Sequence, residues 1–177
     1  MITIISASNR PNSNTEAFAK YYFQELKKKS KTEVKLLSLT KLNETAIVTG
    51  MYQAVTQHDK IRELQDEYLI PAERLVIISP EYNGSFPGIL KYFIDALSIR
   101  KCEETFFGKP VLLAGVATGR AGNLRGLGHL THILMHLGMK VHAAQMPYSS
   151  VGSLIEKGKL TDKATRKTVR NHIVGWR

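Results

Sequence analysis

Short apolar runs, each bounded by polar or glycine-containing stretches, recur along the chain and predict the strands of a buried sheet. These runs are residues 2–6, 34–39, 75–78, 111–117 and 141–146. Because a strand buried on both faces has continuous rather than alternating apolar residues, runs of this kind are typical of a parallel sheet covered by helices. Pro80 has no N–H to donate, so we expect the third strand to end near it.

Between the apolar runs, apolar residues recur every three or four positions, which predicts helices. The residues with this spacing are Phe18, Tyr22 and Leu26; Ile61, Leu64 and Tyr68; Phe86, Leu90, Phe93, Ile94 and Leu97; and Leu124, Leu127, Leu130, Ile133, Leu134 and Leu137. Ser13 and Glu16 have the spacing of a capping box, so the first helix is predicted to begin near Asn14. Pro87, with Ser85 as its cap, is predicted to open the third helix.

The ends of the remaining elements follow from breaker residues. Pro71 is expected to stop the second helix and Gly138 the fourth. We expect a charged connection at residues 99–109 and a basic helix from about residue 161 to the end of the chain. Residues 40–57 carry no assignment. Five strands alternating with helices predict one α/β domain over residues 1–177, with a doubly wound parallel sheet.

The charge balance favours an anionic ligand. The 177 residues include 25 Lys and Arg against 15 Asp and Glu, a formal net charge of +10. Such a charge attracts phosphorylated cofactors or nucleic acid. The basic residues gather at 27–31 and in the tail without interleaved aromatic residues, which argues against nucleic acid as a partner.

Cys102 is the one cysteine, and no apolar run approaches the roughly 20 residues of a membrane helix. The first residues lack the basic region of a signal peptide. We therefore expect a cytoplasmic protein without membrane segments.

Polar loops follow the first, third and fourth predicted strands. Since the carboxyl ends of parallel strands share one edge of the sheet, where ligands bind, these loops are expected to meet there. The first loop precedes a helix N-terminus, whose free N–H groups and dipole favour a phosphate, although an ordinary capped loop is the alternative. Neither a Walker glycine-lysine motif nor the dinucleotide Gly-x-Gly-x-x-Gly is present, which argues against a kinase or a Rossmann dehydrogenase.

Three segments resemble the NADPH-dependent FMN reductase family: Ser8-Asn-Arg-Pro-Asn-Ser-Asn-Thr15, Pro80-Glu-Tyr-Asn-Gly-Ser85 and Pro87-Gly-Ile-Leu-Lys91. The loop from Thr118 to Asn123 is similar to the family's third loop. The resemblance covers roughly residues 1–145. It implies a flavodoxin-like five-stranded parallel sheet of order 2-1-3-4-5 with helices on both faces, and FMN at its carboxyl edge.

The resemblance also implies a reaction and a set of site residues. A hydride would pass from NADPH or NADH through FMN to a flavin, quinone, azo or metal acceptor, in a homodimer or homotetramer. The FMN phosphate would be held by Ser8, Arg10, Ser13, Asn14 and Thr15. The isoalloxazine and ribityl groups would lie against Pro80, Glu81, Tyr82, Asn83, Gly84 and Ser85, and the other side of the ring against Thr118, Gly119, Arg120, Gly122 and Asn123.

Several roles stay open from the sequence. Because the cofactor carries the chemistry, no catalytic side chain is assigned, and Glu81 is interpreted as part of the loop architecture. Tyr82 either packs near the flavin ring or anchors its loop, and the turn Asn83-Gly84 is the structural alternative to a binding loop. Arg120 and Arg125 either meet NADPH phosphates or are solvent-exposed. His129, His132 and His136 are interpreted as core or subunit-contact residues rather than metal ligands. A non-enzymatic, flavodoxin-like electron carrier is the alternative function.

Overall fold

A parallel sheet forms the centre of the computed structural model, which describes residues 1–42 and 57–176. Its strands are β1 (Ile2–Ser6), β2 (Val34–Ser38), β3 (Arg74–Pro80), β4 (Pro110–Val116), β5 (Lys140–Val141) and β6 (Met146–Tyr148). In the described part of the chain the order is β2-β1-β3-β4-β5, and every pair in it is parallel. The predicted order and direction are therefore confirmed.

The fifth predicted strand, 141–146, is wrong as a continuous element. β5 pairs with the first residues of β4, and β6 pairs with its last residues. Between them the chain turns away from β4, since the Gln145 N–H donates to the Ala143 carbonyl at 3.0 Å and the Ala144 N–H donates to His142 Nδ1 at 3.2 Å. These local hydrogen bonds use the backbone donors that a strand would have directed to its neighbour.

Helices cover both faces of the sheet. They are α1 (Asn14–Lys29), α2 (Asp59–Leu64, continuing as a π-helical turn over Gln65–Leu69), α3 (Gly88–Ser98), α4 (Cys102–Phe106), α5 (Leu124–His136) and α6 (Lys163–Val174). Successive side chains of a strand point to opposite faces. In β3, Leu75 and Ile77 therefore join the core under α2, α3 and α5, while Val76 and Ile78 join the core under α1 and α6.

The first and last helices begin as their sequences indicate, whereas α3 does not. Ser13 caps α1, its Oγ accepting from the Glu16 N–H at 3.2 Å, and a tail helix forms as predicted. Pro87, however, is the residue before α3, and Ser85 Oγ bonds to His129 Nδ1 at 2.9 Å instead of capping that helix. The predicted Ser85 cap is therefore wrong.

A short helix and a short hairpin were not predicted. The charged connection at 99–109 contains α4, whose five residues are too few to show a helical repeat of apolar residues. Before α6, the strands β7 (Ile155–Glu156) and β8 (Lys159–Leu160) form an antiparallel hairpin. Of the unassigned stretch 40–57, residues 43–56, including Ile47, Val48 and Met51, lie outside the described residues. None of the described helices is long and apolar enough to span a membrane.

Candidate functional site

A cleft of about 400 Å³ opens at the carboxyl ends of β1, β3 and β4. Its walls are the three loops that the sequence singles out, together with Val151 from the C-terminal part of the chain; residues 149–176, which include the predicted basic helix, are called the tail from here on. The lining residues are Ser8, Arg10, Pro11, Asn12, Ser13, Asn14, Thr15, Pro80, Glu81, Tyr82, Val116, Ala117, Thr118, Gly119 and Val151. The structure thus brings together all five residues of the first predicted loop and half of the residues of the second.

The first wall is the turn from β1 into α1. Ser8 is buried, and its Oγ accepts a hydrogen bond from the Arg10 N–H at 3.2 Å, which folds the turn back on itself. Asn14 and Thr15 occupy the first helical turn after the Ser13 cap, where backbone N–H groups have no acceptor within the helix. Within the described residues, the Arg10 guanidinium pairs with no carboxylate. Free N–H groups, hydroxyls and an unpaired cation together suit an anion.

The second wall follows β3 and ends in a two-residue hairpin turn. The Tyr82 N–H donates to the Ser85 carbonyl at 2.8 Å, and the Ser85 N–H donates back at 3.1 Å. Asn83 and Gly84 between them have φ of 51° and 78°, the left-handed values that such a turn requires. The Tyr82 hydroxyl lies 3.2 Å from Ser8 Oγ. Tyr82 therefore lines the cleft and also joins the second wall to the first.

The tip of this turn lies away from the cleft, toward α5. Asn83, Gly84 and Ser85 do not line the cavity, and Ser85 Oγ bonds to His129. His129, His132 and His136 are all exposed, so they are not core residues, and the alternative that they are subunit-contact residues stays a prediction. Among the described residues, no group of three or more His, Cys, Asp or Glu side chains is arranged to hold a metal ion.

The third wall follows β4, and only its first residues reach the cleft. Thr118 and Gly119 line it, whereas Arg120 is exposed outside it, as is Arg125 in α5. Gly122 is buried behind the wall with φ of 60°, and a Cβ there would lie 2.7 Å from the carbonyl carbon of Pro147. The glycine is thus required by close packing between this loop and β6.

Asn123 is also buried behind the wall and holds two walls together. Its Nδ2 donates to the carbonyl of Ser79 at 3.1 Å and to that of Pro80 at 2.9 Å, at the end of β3. Its backbone φ of 66° lies in the left-handed region, which asparagine adopts more readily than most residues. Asn123 therefore positions the cleft without lining it.

Five lining residues were not predicted: Pro11, Asn12, Val116, Ala117 and Val151. Val151 begins a 3₁₀ turn, Val151–Leu154, held to the third wall by hydrogen bonds from its own N–H to Ala117 and from the Ser150 N–H to Gly119. No motif marks it, because a single valine in a tail carries no functional signal. The other four lie within two residues of predicted ones and could have been included by extending each loop.

A buried chain of hydrogen bonds lies one layer behind the cleft. The hydroxyl of Tyr148 in β6 lies 2.9 Å from the hydroxyl of Tyr22 in α1. The same Tyr22 hydroxyl lies 2.6 Å from Nδ1 of His172 in α6. His172 Nε2 lies 2.6 Å from the Ala144 carbonyl, and because a carbonyl only accepts, Nε2 carries the proton. Neutral Nδ1 then accepts from Tyr22, which in turn accepts from Tyr148.

Burial sets the protonation states in this chain. Burial lowers the pKa of His172. Burial also raises the pKa of Tyr22, and the neighbouring Tyr148 raises it further. Burial raises the pKa of Tyr148 as well. All three groups are therefore neutral near pH 7, which the hydrogen-bond order requires. Because the Tyr148 carbonyl accepts from the Ala117 N–H at 3.0 Å, these hydrogen bonds connect the tail helix to the third wall of the cleft.

Known proteins resemble this chain in sequence. An NAD(P)H-dependent FMN reductase of Pseudomonas aeruginosa is 33% identical over 111 residues, covering 60% of this chain and 58% of that protein. A quinone reductase of Escherichia coli K12 is 44% identical over 71 residues, covering 40% of this chain and 37% of that protein. The chain thus spans about half the length of these relatives.

Solved structures share the fold over nearly the whole chain. FerB, a flavoenzyme NAD(P)H:(acceptor) oxidoreductase from Paracoccus denitrificans, superposes with a TM-score of 0.77 at 22% identity, covering 99% of this chain and 93% of that one. An NADH:FMN oxidoreductase in its apo form gives a TM-score of 0.73 at 20% identity, with coverages of 99% and 87%. The sequence model described as NADPH-dependent FMN reductase matches residues 1–151, which include every residue that lines the cleft. The chain belongs to the NADPH-dependent FMN reductase family.

Proposed function

We propose that this chain binds FMN in the cleft and uses it to pass a hydride from NADPH or NADH to a small-molecule acceptor. The observation that carries this proposal is the meeting of the three strand-following loops around one cavity at the N-terminus of α1. The volume of about 400 Å³ falls within the usual range for cofactor sites. Membership of a family named for FMN and NADPH supports the same reading.

The phosphate of FMN fits the first wall. There the N–H groups of Asn14 and Thr15 and the hydroxyl of Ser13 lie at the positive end of the α1 dipole. Arg10 adds a charge that no carboxylate of the described residues neutralises. These groups bind and orient the cofactor and take no part in a proton transfer.

The flavin ring fits between the second and third walls. Pro80, Glu81 and Tyr82 lie on one side and Thr118 and Gly119 on the other. When bound, FMN supplies hydride acceptance from the nicotinamide and electron delivery to the acceptor.

The protein's part in this chemistry is to shape the cavity. Val116 and Ala117 are buried at its base, and Val151 closes it from the tail side. We expect this apolar base to exclude water from one edge of the ring, while the Tyr82–Ser8 contact keeps the walls at a fixed separation.

A quinone is the first acceptor to test, because several relatives carry the name quinone reductase. We also propose that the chain acts in the cytoplasm as a homodimer or homotetramer. Phe107, Leu124 and Met135 are 70%, 60% and 59% exposed, and we expect a second copy to cover them if they form one apolar face. Light scattering of the purified protein measures the subunit count.

The decisive experiment is an anaerobic titration followed by visible absorption. We expect a bound-flavin spectrum on addition of FMN, and bleaching of that spectrum when NADPH is added. Binding without bleaching by NADPH or NADH would instead identify a flavodoxin-like electron carrier. Absence of FMN binding would contradict the proposal as a whole.

Arg10→Ala tests the phosphate assignment against a matched change at Arg125, which is exposed on α5 away from the cleft. We expect the FMN Kd to rise about tenfold in Arg10→Ala, since a charge-assisted hydrogen bond is worth about 1.5 kcal/mol or more. The Kd for riboflavin, which has no phosphate, should stay the same in both variants. An unchanged FMN Kd in Arg10→Ala would remove this side chain from the phosphate site.

A further inference from the structure

The helical layers on the two sides of the sheet carry charge balances of opposite sign. On one side, residues 14–29 and 155–174, which contain α1, the β7–β8 hairpin and α6, include ten Lys or Arg residues against four Asp or Glu residues, a net charge of +6. On the other side, residues 59–69, 88–106 and 124–136, which contain α2 to α5, include six against seven, a net charge of −1. Most of the positive charge of the chain therefore lies on the first side, which is called the basic face below.

Half of the cations on the basic face lack a carboxylate partner. Ion pairs there join Lys20 to Glu16 at 3.7 Å and Lys28 to Glu25 at 3.0 Å. Five exposed lysines of this face form no ion pair with any carboxylate that the structure describes: Lys27, Lys157, Lys159, Lys163 and Lys167. On the opposite side, by contrast, five of the six cations are paired with Asp or Glu: Lys60, Arg62, Lys91, Arg100 and Lys101.

Two arginines join the helices of the basic face. The Arg170 Nη1 group donates to the Tyr21 hydroxyl at 2.9 Å, and the Arg166 guanidinium lies 5.0 Å from the centre of the same ring. Tyr21 belongs to α1 and is buried, whereas both arginines belong to α6. The lysines of the two helices are therefore held on one surface, where they repel one another and attract an anionic partner.

We propose that the basic face binds the surface of an anionic lipid bilayer. The spread of the charge favours a surface over a compact ligand, because only Lys20, Lys157, Lys159 and Arg166 line the groove between α1, the hairpin and α6, and the other six cations lie outside it. The helix α1 alone is about 24 Å long, and its lysines extend to its last residue. A small anion would meet a few of these cations, whereas lipid phosphates can meet each of them.

The basic face lacks the apolar centre of a specific protein interface. Such interfaces gain most of their affinity from a few aromatic or apolar residues. The large apolar side chains that are exposed in the described part of the chain are Phe107, Leu124, Met135 and Val174, and of these only Val174 belongs to an element of the basic face. Residues 14–29 and 155–174 also contain no exposed aromatic ring on which a nucleic-acid base could stack. A bilayer surface needs neither feature, since lysines alone bind it by charge.

Binding to a bilayer would also bring the cleft close to the membrane. Asn12 and Ser13 line both the cleft and the groove within the basic face, so the cleft lies at the edge of that face. A quinone dissolved in the bilayer would then be within reach as an acceptor. This consequence rests on the proposed function, whereas binding to the bilayer does not, because it requires no flavin.

The test is co-sedimentation of the purified protein with vesicles of phosphatidylcholine alone or of phosphatidylcholine mixed with phosphatidylglycerol. Lys163→Gln with Lys167→Gln removes two exposed, unpaired charges from the basic face without altering the cleft. Arg125→Gln with Lys140→Gln is the matched control, because it removes two exposed charges outside that face. Circular dichroism checks that the three proteins fold alike.

We expect the unaltered protein to sediment with the mixed vesicles at low salt, and to be released at about 1 M salt, where the Debye length is about 3 Å. Each lysine near an anionic surface contributes about fivefold to membrane affinity, so the basic-face variant should bind about 25-fold more weakly. The control variant should stay within about twofold of the unaltered protein.

Equal sedimentation with both kinds of vesicle would overturn the inference, as would a basic-face variant that binds as tightly as its control. Salt-sensitive binding to duplex DNA without binding to the mixed vesicles would overturn it too, and would assign the basic face to nucleic acid. None of these results depends on FMN. A protein that sediments with the mixed vesicles but does not bind FMN would therefore overturn the proposed function and leave this inference intact.

Discussion

Replacing Asn123 by Asp tests whether the cleft is held together from behind. The Nδ2 group donates to two backbone carbonyls at the end of β3, those of Ser79 at 3.1 Å and Pro80 at 2.9 Å, and the residue is fully buried. Asp has the same shape and also tolerates the φ of 66°. The substitution therefore removes the donor and places a carboxylate oxygen against two carbonyl oxygens without altering the backbone preference.

The expected loss in the free energy of unfolding depends on the Nδ2 donor that the substitution removes. An unsatisfied buried polar group costs about 1–3 kcal/mol, and a buried uncompensated charge raises the total to about 3 kcal/mol or more. For a chain of this length the loss corresponds to a fall in Tm of roughly 6–12 °C. We also expect weaker FMN binding, because Asn123 connects the end of β3, where Pro80 lines the cleft, to the loop that follows β4.

Asn83→Asp is the matched control for the stability measurement. Asn83 also has a positive φ, of 51°, but it is exposed, so its replacement by Asp should change the free energy of unfolding by no more than about 0.5 kcal/mol. Urea unfolding of both variants at pH 7 and pH 5 gives the comparison. Burial raises the pKa of the introduced carboxyl, and its protonated form can again donate to a carbonyl, so the deficit of Asn123→Asp should shrink at pH 5. Equal stabilities of the two variants at both pH values would refute the proposed role of Asn123.

Three further outcomes follow from the buried polar chain and the packing behind the cleft. Tyr22→Phe leaves Tyr148 and His172 without their shared hydrogen-bond partner, and it should lower the free energy of unfolding in urea by about 2–4 kcal/mol. The control Tyr92→Phe, at a half-buried site, should lower it by less than about 0.5 kcal/mol. Because burial lowers the pKa of His172, the unfolded state binds more protons than the folded state below about pH 6.5. The free energy of unfolding should therefore decrease as the pH drops below that value, by up to about 1.4 kcal/mol per pH unit, and His172→Gln should make this dependence weaker. Gly122→Ala should lower Tm and flavin affinity together, since its Cβ would lie 2.7 Å from a backbone carbon of β6; an unaffected Tm would show that the loop can shift at little cost.

The sheet and the position of the first loop at a helix N-terminus could be predicted because both depend on local patterns. A strand buried on both faces needs a continuous apolar run, as in Leu75 to Ile78, and a helix N-terminus needs a cap such as Ser13. The order of the strands came from the family resemblance instead. It is a property of the whole chain, and no window of residues determines it.

The errors fall where tertiary contacts override local preference. Ser85 has a side chain suited to capping α3, but the hairpin turn directs it to His129 on another helix. His172 looks isolated in the sequence because its hydrogen-bond partners, the Tyr22 hydroxyl and the Ala144 carbonyl, lie 150 and 28 residues away. The fifth strand divides in two because local turns between β5 and β6 take up its backbone donors.

The tail shows how the parts of this fold depend on one another. Its sequence is a basic stretch without a motif, and it would suit a solvated helix. In the structure it contributes Val151 to the cleft, His172 to the buried hydrogen-bond network, and Lys157 and Arg166 to a basic groove against α1. Because α6 packs on α1, the tail supports from behind the helix whose N-terminus we propose as the phosphate site. We therefore expect changes in the tail to alter flavin binding without touching any of the three loops. Tyr22→Phe tests this dependence, since Tyr22 lies in the buried hydrogen-bond network and does not line the cleft: we expect weaker FMN binding in this variant although all three loops keep their sequence.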